Sequence, residues 1–192
     1  MLSIKKSVAI AVLLSITTIQ GCAVLVIGAG VGAASAAHDR RTLGAQVDDK
    51  TAASKISVAL SEVEELKNRT SITVQVFNGT ALLVGQAPTN ELIQLAQQTA
   101  AKVKNIKKLH NQIRLGSPIS TSVAANDVWL ASKVKTQLLA DKRVDGLNVE
   151  IEVENGEVFL MGLVTQQEAN IAVDITRNIA GVKQVVKAFE YL

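Results

Sequence analysis

Ile72-Thr73-Val74-Gln75-Val76-Phe77-Asn78-Gly79 is the stretch that decides the fold. Apolar and polar residues alternate along it, which is the period of a strand with one buried face. Asn-Gly then predicts a tight hairpin, because a type I′ turn needs positive φ at both central residues. The return strand is Ala81-Leu82-Leu83-Val84, and it ends on Gly85. This part of the chain therefore predicts an antiparallel β-hairpin.

The same pattern occurs a second time, 77 positions later, around Asn155-Gly156. Its first strand alternates over 149–153, and its return strand is Val158-Phe159-Leu160-Met161. Before each hairpin an apolar residue recurs every fourth position, which predicts a helix with one buried face. A second helix and a last short strand follow each hairpin. The inward positions of the first helices are Ala52, Ile56 and Leu60 in one copy and Leu130, Val134 and Leu138 in the other.

Two copies of one unit therefore make up most of the chain. Each copy has the order helix, strand, strand, helix, strand. This order predicts an α+β protein of two tandem αββαβ modules. Each module is expected to be a three-stranded mixed sheet with two helices on one face.

The N-terminal residues have the pattern of an export signal. Two lysines and a short apolar run precede Ile19-Gln20-Gly21-Cys22, and this run is too short to span a membrane comfortably. A cysteine directly after a small residue makes the string resemble a bacterial lipobox. That resemblance implies a mature protein that begins at Cys22 with three acyl chains, palmitate among them. Ala23, in place of aspartate, implies delivery to the outer membrane. The alternatives are an ordinary signal or an uncleaved anchor that continues through 23–31.

Five segments are expected from these patterns. They are a signal peptide over 1–21, a lipidated cysteine with a flexible tether over 22–47, module 1 over 48–115, a linker over 116–125, and module 2 over 126–192. Within the tether, residues 28–33 read G-x-G-x-x-A, as in a dinucleotide-binding loop. No second strand follows that would complete a nucleotide-binding unit, so no cofactor is expected.

The repeated motif carries a family resemblance. Helix, V-x-V-x-N-G-x-V/A-x-L-x-G, helix, then G-V-x-x-V is similar to the BON domain. A lipobox before two such modules resembles the dual-BON lipoproteins of the Gram-negative outer membrane. The resemblance implies a periplasm-facing protein that binds anionic phospholipids, such as phosphatidylglycerol and cardiolipin, and supports envelope integrity without catalysis. The first copy departs from the motif, since Asn105-Ile106 stands where Gly181-Val182 stands in the second.

Several other functions are not expected. The chain has two histidines, His38 and His110, and one cysteine, so a Ser-His-Asp or Cys-His arrangement is not predicted. Histidines and carboxylates do not occur together at metal-ligand spacing, and no metal site is predicted. A net charge of +3 over 192 residues argues against a general nucleic-acid binder. The αββαβ order is shared with KH modules of RNA-binding proteins, but their G-x-x-G clamp is absent.

The first helix of module 2 has a second face that the core does not need. We predict that this face binds anionic phospholipid, because Trp suits the headgroup level and each nearby lysine adds about 1 kcal/mol at an anionic surface. One alternative is that the Trp packs between the modules; another is a scaffold whose face binds an envelope protein. The predicted lipid-binding residues are Trp129, Lys133, Lys135, Thr136 and Leu139. Their counterparts in module 1 are mostly polar and include Thr51, Lys55, Val58 and Ser61.

Charge differs between the two copies. Residues 49–115 hold nine basic and five acidic side chains, whereas residues 126–192 hold seven basic and ten acidic ones. Opposite signs predict that the modules dock on one another, with modest strength because exposed ion pairs contribute little. If charge alone holds the modules together, added salt should separate them.

Overall fold

The computed structural model of the chain describes residues 39–192. The predicted signal peptide, Cys22 and most of the predicted tether lie outside the described residues. Among the helices that are described, none is long and apolar enough to cross a bilayer.

Module 1 has the predicted order of elements, with one short extra helix. β1 pairs antiparallel with β2, and β2 pairs parallel with β3, so the sheet order is β1-β2-β3. The first helix begins at Leu43, inside the expected tether, because Thr42 caps it by accepting a hydrogen bond from the Ala45 N–H. The elements are α1 (Leu43–Glu62), α2 (Glu64–Lys67), β1 (Ser71–Phe77), β2 (Thr80–Ala87), α3 (Asn90–Ala101) and β3 (Lys108–Leu115).

Module 2 repeats this topology. β4 pairs antiparallel with β5, and β5 pairs parallel with β6. Its first helix begins at Thr121, inside the expected linker, with Ser120 as its N-cap. The predicted α+β fold of two modules, each with a three-stranded mixed sheet, is confirmed. The elements are α4 (Thr121–Ala140), a 3₁₀ turn (Gly146–Asn148), β4 (Glu150–Glu154), β5 (Glu157–Val164), α5 (Gln166–Arg177) and β6 (Gln184–Tyr191).

The hairpin turns have the backbone that Asn-Gly predicts. Asn78 and Gly79 have φ of 49° and 80°, and the turn of module 2 has nearly the same values. Before the last strand, Asn105 has φ 70° and Gly181 has φ 106°. Asparagine tolerates positive φ better than other residues with a Cβ. The departure of module 1 from the family motif therefore keeps the same turn.

The two sheets pack face to face, which the sequence pattern did not predict. β2 is buried along its whole length because helices cover one of its faces and the other sheet covers the second. The layers therefore follow the order helices, sheet, sheet, helices. The apolar cluster between the sheets consists of Phe77, Leu82 and Val84 from module 1 and Phe159, Met161 and Ala188 from module 2.

Polar contacts surround this apolar cluster. Arg114 Nη2 lies 2.7 Å from Glu157 Oε2, an ion pair with the signs that the charge counts predict. Burial raises the pKa of Glu152 and of Glu154, and each accepts a hydrogen bond from a neutral side chain of module 1. The charge difference thus contributes at the edge of an interface whose centre is apolar. The neutral donors are Gln75 to Glu152 at 2.9 Å, Gln86 to Glu154 at 2.7 Å, and Asn78 and Thr80 to Glu190, each at 2.6 Å.

Arg40 attaches the segment before α1 to module 2. Its guanidinium donates to both carboxylate oxygens of Glu168, at 2.9 and 2.7 Å, and to the Leu163 carbonyl at 3.0 Å. Its backbone N–H donates to Asn148 Oδ1 at 3.2 Å. Arg40 lies within the expected flexible tether, so the last part of that tether is held against module 2.

Acid should weaken this attachment. The hydrogen bond from Arg40 lowers the pKa of Glu168 from 4.5 to about 2. A lowered pKa in the folded state means that the contribution is complete above 4.5 and is lost as the pH falls toward about 2. Urea unfolding should therefore show a smaller loss of stability between these pH values for Glu168→Gln than for the wild type. The control is the same substitution in an Arg40→Ala background, where it should change little; equal losses in all variants would contradict the expectation.

Candidate functional site

The exposed side of α4 carries three large apolar side chains. Val128, Trp129 and Leu139 on this helix are 70%, 64% and 51% exposed. Trp129 takes no part in the apolar cluster between the sheets. Its large ring therefore faces solvent, an arrangement that often marks a binding surface when several such residues adjoin.

Lys133 fixes the position of the Trp129 ring. Its ammonium Nζ lies 3.8 Å from the ring centroid, within the range of a cation–π contact. The same Nζ donates a hydrogen bond of 2.6 Å to the carbonyl of Ala180, in the loop between α5 and β6. The pair therefore connects α4 with that loop, and it places a positive charge directly beside an exposed aromatic ring.

The structure places Lys135 away from Trp129, although the sequence predicts that both belong to the lipid-binding face. Six residues correspond to about 240° around a helix, so the two side chains leave on different sides. Lys135 Nζ donates to the carbonyls of Gly146 and Val149 at 2.9 and 2.8 Å. Burial lowers the pKa of Lys135. Its ammonium supports the 3₁₀ turn, so the structure does not bring it to the predicted lipid-binding face.

Trp129, Lys133 and Thr136 do lie together, along a groove between α4 and α5. The groove has a volume of about 800 Å³, and Leu139 lies outside it on the exposed side of α4. The Thr136 hydroxyl donates to the Ser132 carbonyl at 2.8 Å, so it already has a partner in its own helix. The other groove residues are Ser132, Gln137, Arg143, Asp174, Ile175, Asn178, Ile179 and Ala180.

A second, smaller cavity adjoins Trp129 and Lys133 on the side of the β4–β5 turn. We call it the turn pocket of module 2, and its volume is about 320 Å³. Trp129 and Lys133 line both cavities, so they form the ridge between them. The other lining residues of the turn pocket are Val123, Asn126, Asp127, Leu130, Asn155, Gly156, Ala180, Gly181 and Lys183.

Module 1 has a corresponding cavity, the turn pocket of module 1, of about 420 Å³. At the Trp129 position it has Thr51, which is exposed and does not line the cavity. The two modules therefore share a backbone frame and differ in the side chains placed on it. The lining residues are Ala45, Asp48, Asp49, Asn78, Gly79, Asn105, Ile106 and Lys107.

A buried aspartate holds each turn in place, and the sequence pattern did not identify this role. Asp127 accepts hydrogen bonds from the N–H groups of Asn155 and Gly156 at 2.7 and 2.8 Å. Asp49 does the same in module 1, where Arg41 also contacts it at 2.9 Å. The signal that could have revealed it is an aspartate at the same position of both copies, 78 residues apart.

Across residues 39–192, His, Cys, Asp and Glu do not gather into a group that could hold a metal ion. In the same range every buried side-chain nitrogen and oxygen has a hydrogen-bond partner. The described geometry thus presents the exposed side of α4, the groove and the two turn pockets.

Comparisons with known proteins match nearly the whole chain. A family model described as the BON domain matches residues 48–117 and 126–192. The chain is 39% identical over 184 residues to outer membrane lipoprotein DolP of Haemophilus influenzae, covering 95% of each protein. It is 36% identical over 154 residues to a 21 kDa hemolysin of Actinobacillus pleuropneumoniae, covering 80% of this chain and 79% of that one. These matches agree with the resemblance that the repeated motif indicated.

Proposed function

This chain belongs to the BON domain family, and from that premise we propose a non-enzymatic lipoprotein of the outer membrane that binds anionic phospholipid through the exposed side of α4. Acylated Cys22 is the membrane anchor in this proposal, and the two modules face the periplasm. The similarity to an outer membrane lipoprotein along 95% of the chain supports the location.

The contact between Trp129 and Lys133 is the observation that carries the proposal. An exposed indole with an ammonium group 3.8 Å from its centroid combines the two preferences of a headgroup layer. The ring can enter the interface with its N–H still wet, while the lysine is drawn to anionic lipid. Val128 and Leu139 extend the apolar surface along the same helix. These features suit a helix that lies on a bilayer rather than one that crosses it.

The difference between the modules supports the assignment to α4. Trp129 and Leu139 correspond by position to Thr51 and Ser61 of α1. The first helix of module 1 also exposes apolar residues, Leu43, Val47 and Val58. What distinguishes α4 is an exposed aromatic ring with a lysine ammonium beside it. The folding of the module does not require it, since α1 forms an equivalent helix without it.

The anchor makes a weak lipid contact sufficient. From Cys22 to Arg40 the chain has 18 peptide steps, which span at most about 60 Å. A module held within that distance of the bilayer meets lipid at a high effective concentration. Envelope support would then follow from a protein that stays at the inner surface of the outer membrane and binds its lipids reversibly.

Trp129→Glu should abolish lipid binding without unfolding the protein. The mature chain carrying Cys22→Ala, which cannot be acylated, is mixed with phosphatidylglycerol vesicles and separated by flotation. We expect the protein without a change on α4 to float and Trp129→Glu to stay at the bottom of the gradient, because a charge replaces the ring that enters the interface. Circular dichroism checks the fold of each variant.

Thr51→Glu is the matched control, since it adds the same charge at the same position of module 1. It should float like the Cys22→Ala protein that carries no other substitution. If Trp129→Glu and Thr51→Glu float equally well, α4 is not the lipid contact. If the Cys22→Ala protein with no other substitution also stays at the bottom of the gradient, a scaffold that binds an envelope protein becomes the better interpretation.

A further inference from the structure

The turn pocket of module 2 has the size and chemistry of a site for a small polar group. Its volume of about 320 Å³ lies within the usual range for small-molecule sites. Leu130 and Val123 form apolar walls, while Lys133, Lys183 and Asn126 bring polar groups to it. It opens beside Trp129, the residue on which the proposed lipid contact depends.

Charge separates this pocket from its counterpart. The turn pocket of module 2 is lined by two lysines, Lys133 and Lys183, and by one carboxylate, Asp127. Both oxygens of that carboxylate accept backbone N–H groups, at 2.7 and 2.8 Å. The turn pocket of module 1 is lined by one lysine, Lys107, and by two carboxylates. The side chains that line the pocket beside Trp129 therefore have a positive formal charge, which favours an anion. Those that line the turn pocket of module 1 have a negative formal charge, which disfavours an anion.

The residue at position 126 accounts for half of the difference in formal charge between the two pockets. Asn126 stands in module 2 where Asp48 stands in module 1, and both line their pockets. A carboxylate at this place would repel a phosphate, whereas the Asn126 amide can donate to it.

Two lysines and one glycine shape the rest of the pocket. Lys133 Nζ and Lys183 Nζ each make one hydrogen bond to the protein, to the Ala180 carbonyl at 2.6 Å and to Asn155 Oδ1 at 3.0 Å. An ammonium group has three donors, so each can also donate to a phosphate. Gly181 lies directly beside the pocket, since a Cβ built there would be in van der Waals contact with Leu130 Cδ1 at 3.6 Å and with Lys133 Nζ at 3.9 Å.

We propose that the turn pocket of module 2 binds the phosphate group of a phosphate ester, held by Lys133, Lys183 and Asn126. This inference rests on the proposed function, because the lipid headgroup is the phosphate ester that α4 would bring to the pocket. A phospholipid bound in this way has its phosphate in the pocket and its acyl chains along Trp129 and the apolar side of α4. A soluble glycerol phosphate offers the same chemistry without the acyl chains.

Asn126→Asp tests the proposal, because it gives module 2 the residue that module 1 already tolerates. Acyl-free mature protein (Cys22→Ala) is tested by flotation with phosphatidylglycerol vesicles and, separately, by amide chemical shifts during titration with glycerol 3-phosphate. We expect Asn126→Asp to weaken vesicle binding about tenfold and to abolish the shifts at Gly156 and Lys183. Urea unfolding checks that the variant keeps its stability.

Asn170→Asp is the matched control, since it makes the same chemical change at an exposed site of α5 outside the pocket. It should bind vesicles almost as the wild type does, because its added charge is remote and screened. Shifts with glycerol 3-phosphate that only Asn126→Asp removes would support the pocket. If the protein gave these shifts but did not float with the vesicles, the pocket would be assigned to free phosphate esters.

The failure of this proposal differs from the failure of the proposed function. If Trp129→Glu abolishes flotation while Asn126→Asp and Asn170→Asp float equally and give equal shifts, α4 binds lipid and the pocket does not hold phosphate. If the Cys22→Ala protein with no other substitution does not float, the proposed lipid contact is wrong. The titration with glycerol 3-phosphate then decides by itself whether the pocket binds phosphate.

Discussion

Phe159→Asp should separate the two modules while each keeps its own fold. Phe159 is 1% exposed and belongs to the apolar cluster between the sheets. Removing a buried Phe side chain costs about 3–5 kcal/mol, and a carboxylate without a partner in the same place costs more. X-ray scattering should show a larger radius of gyration for the variant, and far-UV circular dichroism should change little.

The neighbouring residue provides the contrast. Val158 is fully buried too, but it points to the helices of module 2, because successive side chains of a strand face opposite sides. Val158→Asp should therefore unfold module 2 rather than release it. If the two variants behave alike, the sheets do not form a separable interface.

The response to salt concentration is an independent test of the same interface. The modules dock through an apolar centre, and Arg114 is exposed enough that its ion pair with Glu157 adds little. Raising the salt concentration should therefore leave the radius of gyration of the wild type unchanged. Separation in salt would instead support the purely electrostatic docking that the charge counts alone predicted.

Gly85→Ala should strongly destabilise module 1. Gly85 has φ +131° in the middle of the sheet, a conformation that costs a residue with a Cβ about 1–3 kcal/mol. A Cβ there would also overlap the carbonyl oxygen of Ser71 and lie 2.8 Å from its carbonyl carbon. Because those atoms belong to the paired strand, they cannot move without breaking the ladder. We expect a loss of several kcal/mol in urea unfolding.

Gly116→Ala is the control for this substitution. No heavy atom lies within 4 Å of a Cβ built on Gly116, and its φ is not in the left-handed region. Its unfolding free energy should stay within about 0.5 kcal/mol of the wild type. Equal midpoints for the two variants would contradict the requirement for glycine at position 85.

Local patterns were enough to predict the repeated helices and strands of both modules, but not α2 or the 3₁₀ turn. Asn78-Gly79 dictates a turn through its own φ values, and the spacing of Ile56 and Leu60 dictates which side of α1 is buried. These properties depend on residues that are neighbours along the chain. The exposed face with Trp129 follows in the same way, because the helical period assigns the buried positions and leaves the others outside.

The sequence by itself thus determined two αββαβ modules, their hairpins and the apolar side of α4. Tertiary structure alone decided what covers the second face of each sheet, where Lys135 points and what Arg40 holds. The return strands Ala81–Val84 and Val158–Met161 do not alternate, which indicates burial on both faces without naming the cover. The physical reason is that the hydrophobic effect has no direction, whereas Lys135 and Arg40 bond to groups that only the folded chain brings near.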